Sequence, residues 1–151
     1  VHAGVVSYVA DALASRLIAT GVATAGATFV DALPEAAGVP DAVVALWDTV
    51  GQDLHSLGCH SPVTSGRVQL MVRGAIGDVA ATRRRAWRAY QAMGAIGGLA
   101  VAVNDEAGVS ATVNILAVNF DGPPNLIERD HNERPLFSAN ASVWFSIGTI
   151  A

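Results

Sequence analysis

The chain has 151 residues, of which 52% are hydrophobic and only 15% charged, with a formal net charge of −4. That length predicts one domain over residues 1–151 with a substantial core, and the negative balance excludes a polyanion binder driven by overall charge. So little charge on so small a chain points to a surface partly covered by other subunits, against the plainer reading of an Ala- and Val-rich globule.

All nine basic residues are arginine, whose planar fork suits directional ion pairs at interfaces. Cys59 is the single cysteine, so no intrachain disulfide can form, which fits a reducing compartment. The first apolar segment has no basic stretch before it and is interrupted by Asp11 and Arg16. It reads as neither a signal peptide nor a membrane span, so a product made and assembled in the cytoplasm is expected.

Val5, Val9, Leu13 and Leu17 recur at four-residue steps and predict a helix over residues 5–20, stopped by Gly21. A short strand is expected over 28–33, before Pro34. Residues 41–48 read as a strand buried on both faces, with Val43, Val44, Ala45, Leu46 and Trp47 in succession. Gly51, Gly58 and Pro62 argue for a long loop over 50–65. The clearest strand is 66–74, where Val68, Leu70 and Val72 alternate with Arg67, Gln69, Met71 and Arg73.

Asp78 is the expected N-cap of a second helix reaching Met93. Val79, Thr82, Ala86, Ala89, Tyr90 and Met93 share its apolar side, and Arg84, Arg85 and Arg88 lie opposite. Strands follow at 99–104 and 111–119, joined by a turn at 104–108, then a long loop at 120–134 and a last strand at 136–147. On that strand Phe137, Ala139, Ala141, Val143, Phe145 and Ile147 oppose Ser138, Asn140, Ser142, Trp144 and Ser146. The order α-β-β-β-α-β-β-β predicts an α+β fold, two helices packed on one face of a mostly antiparallel sheet.

Little in this pattern carries chemistry. His55, Cys59 and His60 could contribute to a zinc site, with His131 or Asp53 as a further ligand, but adjacent Cys59 and His60 suit one tetrahedral centre poorly. Cys59 with a nearby histidine is the only nucleophile arrangement, and no hydrolase motif surrounds it. No phosphate loop exists, since the chain has no lysine to complete one. Catalytic residues, metal ligands and cofactors are therefore all expected to be none.

Contact surfaces are the stronger expectation. Arg84, Arg85 and Arg88 form a basic helix face, readable as solvated, as a protein contact or, without interleaved aromatics, less readily as a nucleic-acid contact. Arg83 is expected to stack on Trp87 or to pair with a buried carboxylate such as Asp48. Glu128, Arg129, Asp130, Glu133 and Arg134 make a mixed-charge loop complementary to the basic face, and Trp144 stands on a serine-rich face as a contact anchor would.

Three segments carry a resemblance: ALWDTVGQDLHSLGCHSPVTSGRVQLMVRG, the helix ATRRRAWRAYQAM, and NILAVNFDGPPNLIERDHNERPLFSANASVW. They span about residues 41–147 and include Trp47-Asp48 before a Gly-containing loop, the strand Val68 to Gly74, and Arg129, Asp130, Asn132 and Arg134 before an aromatic strand. In that order the chain resembles the tail terminator, or minor capsid, proteins of long-tailed bacteriophages. The glycine-rich stretch 94–108 and the density of arginine in the helix depart from the family pattern. The resemblance implies a structural virion protein in a homohexameric ring at the head–tail neck. Such a ring caps the tail tube, stops its elongation and docks to the head connector or stopper protein, while genome DNA passes through its lumen without sequence-specific binding. It implies no enzyme activity and no membrane. Another neck component, or a small metal-dependent enzyme built on His55, Cys59, His60 and the region of Asp130, is the alternative.

Overall fold

The computed structural model describes the backbone of residues 3–56, 59–104 and 110–150, and the side chains of residues 9–48, 63–104 and 110–147. The first helix, α1, spans Ala3–Ala19. Val9, Leu13 and Leu17 are buried along it, together with Ala10, Ala12 and Ala14. Gly21 takes a φ of +71° and its N–H donates to the Ile18 carbonyl at 3.0 Å, while the Val22 N–H donates to Leu17 at 3.0 Å. This glycine stop satisfies two of the carbonyls that a helix end leaves open.

A single 3-10 turn, Ala25–Ala27, leads into β1 (Thr28–Val30), which is shorter than its sequence suggests because Asp31 enters the left-handed region at φ +56°. β1 pairs in parallel with β2 (Val43–Ser56), and β2 pairs antiparallel with β3 (Cys59–Arg73). The loop expected over 50–65 is therefore a hairpin ribbon. Gly51 and Pro62 do not break it because the ladder is irregular where they fall. The register shifts between Thr49 and Gln52, around Gly51, and Pro62 falls between the paired residues His60 and Thr64. Residues 57 and 58 lie outside the described residues.

The end of β3 meets the start of α2 (Val79–Gly94) at close quarters. A Cβ on Gly74 would lie 1.6 Å from Thr82 Oγ1, so only glycine fits there. The Asp78 carboxylate accepts from the Ala81 N–H at 3.1 Å, the expected N-cap. Thr82, Ala86, Ala89 and Met93 form the buried stripe of α2.

β4 (Leu99–Asn104) and β5 (Ser110–Phe120) form an antiparallel pair; most of the turn expected between them lies outside the described residues. The loop expected over 120–134 contains a further strand, β6 (Asn125–Arg129). All five of its residues are exposed, so no alternation marks it in the sequence. β7 (Pro135–Ile150) completes the sheet in the order β1-β2-β3-β7-β5-β4, with β6 paired to β7 as well.

The fold is α+β, with two α-helices and seven strands among the described residues. Both helices cover one face, where Val44 and Leu46 of β2, Val68, Leu70 and Val72 of β3, Ile115 of β5 and Ala141, Val143 and Phe145 of β7 form the core with α1 and α2. α1 touches β1 and β2 at one end of the sheet and β4 and β5 at the other, so the sheet curls around it.

Candidate functional site

Arginine chemistry divides the surface into parts used within the chain and parts left over. Arg73, at 0% exposure, ends β3 as the only charged side chain among the described residues that is wholly inside the structure. It donates to the carbonyls of Asp41 (2.9 Å), Pro34 (3.2 Å) and Pro40 (3.2 Å) and to Glu35 Oε1 (3.0 Å). Arg134, just before β7, donates to Asp130 Oδ2 at 2.7 Å and Asp41 Oδ1 at 3.2 Å, and its other terminal nitrogen to Glu35 Oε2. Glu35 thus bridges two guanidinium groups and pins the segment between β1 and β2 onto the ends of β3 and β7. The Gly74 N–H donates to the Pro135 carbonyl at 3.0 Å and ties the same two strand ends together.

The electrostatics follow from this packing. Burial pushes Arg73 down, and the neighbouring Arg134 charge adds to that. The hydrogen bond from Arg134 holds the Glu35 carboxyl below the ordinary carboxylate range. Burial works against Asp130, but its bonds from Arg134 prevail and keep it low. Asp130 Oδ1 also accepts from the backbone N–H groups of Asn132 (2.9 Å) and Arg134 (3.0 Å), which folds the turn between β6 and β7.

The mixed-charge loop divides in the same way. Arg134 is buried and Asp130 is committed to it, so both hold the fold together. Glu128, Arg129 and Glu133 remain exposed. Arg67 is likewise used internally, donating to Asp121 and to Ser142 Oγ at 2.9 Å.

The α2 face is different. Arg84 and Arg88 are exposed and Arg85 is half-buried, and among the described residues no carboxylate lies within ion-pair distance of any of them. Arg83 stacks over Phe137, with 5.8 Å from its guanidinium carbon to the ring centroid, and not on Trp87 or with Asp48 as the sequence suggested. Trp87 instead stands 39% exposed on the same helix side as Arg84, Arg88 and Gln91, at the i, i+3, i+4, i+7 spacing that makes a continuous surface. Its ring meets Tyr90 edge-on at 5.4 Å, and Tyr90 meets Phe120 of β5 at 4.6 Å. The aromatic contact is thereby held in place between arginines, an arrangement the sequence reading did not recover because it placed no aromatic on that face.

Among the described residues the other sheet face carries no helix. Trp144 stands there half-buried, beside Ser65 of β3 and Ala117 of β5. Gln69 donates to Ser138 Oγ at 3.0 Å on the same face, and Asn140 is exposed. The side chains of His55, Cys59 and His60 lie outside the described residues; the backbone register places His55 opposite His60 and Ser56 opposite Cys59. Among the described residues no group of three His, Cys, Asp or Glu side chains is arranged to hold a metal ion.

One carboxylate is closed off from water with no hydrogen-bond partner among the described residues. Asp48 continues the core-facing row of β2 after Val44 and Leu46 and sits beside Val68 of β3. Both its carboxyl oxygens are buried without a hydrogen-bond partner. Burial raises the group to about 8, with the charges of Asp31 and Asp11 adding to the rise. The backbone amide of Ala10 lies near enough to offset a little of this without completing a hydrogen bond.

Neither protein-family models nor curated proteins provide a match to this chain. No helix among the described residues is long and apolar enough to cross a membrane.

Proposed function

We propose that this chain is a structural subunit that closes into a ring with copies of itself, of the kind that terminates a bacteriophage tail tube and docks it to the head connector. The observation that supports the reading is the α2 surface. Arg84, Arg85 and Arg88 lack an acidic partner among the described residues of their own chain, while Arg67, Arg73 and Arg134 are each matched to carboxylates. An arginine cluster around an exposed, ring-packed tryptophan has the composition of an energetic hot spot in protein contacts. Head-to-tail contact is the geometry that closes a ring, because it joins two unlike patches. Exposed carboxylates on other parts of the chain, Glu128 and Glu133 among them, supply the complementary sign.

The test is the oligomeric state of the purified protein, by native mass spectrometry and electron microscopy. Closed rings that bind the last ring of a tail tube are the expected result. Rings that bind only a head connector indicate a different neck component. A chain that stays monomeric at every concentration overturns the reading.

A further inference from the structure

Three carboxylates from three elements converge at one edge of the core. Asp11 comes from α1, Asp31 from the turn after β1, and Asp48 from the core-facing row of β2. The Asp48 N–H donates to Asp31 Oδ1 at 3.3 Å, which fixes the two chain segments side by side. The Asp48 carboxyl itself points under α1, near Ala10 and Asp11, with both oxygens shut away from water and without hydrogen-bond partners. Across the β2–β3 ladder Asp48 stands opposite Val68, which is apolar. Arg16, also on α1, has a buried Nε without a hydrogen-bond partner, and among the described residues it forms no ion pair with Asp48.

We propose that Asp48 is a protonation-controlled latch for α1: as the neutral acid it lets the helix lie on β2, and as the carboxylate it favours lifting of the helix from the sheet. The physics is a comparison of two states. With α1 seated, an ionised Asp48 is a dry charge facing Asp11 and Asp31, and both effects oppose ionisation. With α1 lifted, the same carboxylate is hydrated and the three charges are screened. Opening therefore releases a proton, and rising pH drives it. The seated form holds its proton to about pH 8, whereas the hydrated form loses it in the ordinary carboxylate range. The opening constant should accordingly rise by up to about tenfold per pH unit through that window and level off above it. This device does not depend on the ring reading.

Amide hydrogen exchange, corrected for intrinsic rates, tests the latch between about pH 5 and about pH 9. Amides of residues 9–17 should open more readily than those of β3 and β7, with the rise and plateau just described. Asp48→Asn keeps the shape and removes the charge, and should leave opening of α1 independent of pH. Exchange of α1 only together with β3 and β7, no dependence on pH, or an unchanged dependence in Asp48→Asn would each overturn the proposal. A direct reading comes from the wild-type chain labelled with carbon-13 at aspartate carboxyls. An Asp48 carboxyl that titrates with ordinary surface aspartates also overturns it, whatever the variant does.

Discussion

Asp48 and the arginine cluster around Glu35 respond to pH in opposite directions. Glu35 and Asp130 are held below the ordinary carboxylate range, so the stability they contribute is present at neutral pH and lost as the medium becomes acid. Asp48 is raised, so its contribution is complete in acid and drains away as pH climbs to about 8. Thermal unfolding should therefore show its highest Tm in weak acid, near about pH 5, with a decline towards neutrality that Asp48→Asn abolishes. A Tm that rises steadily to pH 8 would contradict the balance. Arg73 makes the second residue-scale case. Replacing it with alanine leaves three inward-facing carbonyls and Glu35 without their donor, and should cost about 3–5 kcal/mol in denaturant unfolding. Arg73→Lys keeps the charge but not the planar fork, and should recover only part of that loss.

The junction between β3 and α2 is the element most sensitive to volume. Gly74→Ala drives a methyl group into Thr82 and should destabilise by about 1–3 kcal/mol. Adding Thr82→Ala should return part of it, and a double-mutant cycle measures the coupling. Asp78→Ala removes the N-cap of α2 at about 1 kcal/mol. These local features were legible because each is written within a few residues: Gly21 after an apolar helix, Asp78 before one, and the alternation of Val68, Leu70 and Val72. The β2–β3 ribbon and β6 were not, because burial is what imprints a period on a sequence, and β6 lies wholly in solvent. The Glu35 cluster was hidden for another reason. Glu35 meets Arg73 and Arg134 across 38 and 99 residues of chain, and nothing local announces such a meeting. Asp48 did leave a trace, since it continues the two-residue step of Val44 and Leu46, a position where a carboxylate is out of place.

At the scale of the whole molecule, assembly and stability should separate. Reversing charge at Arg84, Arg85 and Arg88 breaks no ion pair among the described residues, so Tm should shift little while self-association measured by light scattering is lost. Undiminished association would remove α2 from the contact. β7 carries a different consequence. β3 lies on one side of it and β5 and β6 on the other, so the left and right halves of the sheet have no shared edge until β7 inserts. A ribosome must translate past residue 135 before that seam can begin to close, and until then two greasy half-sheets emerge unsealed. Nascent chains stalled short of that codon should cling to chaperones and yield quickly to protease, whereas chains released beyond residue 150 should resist both.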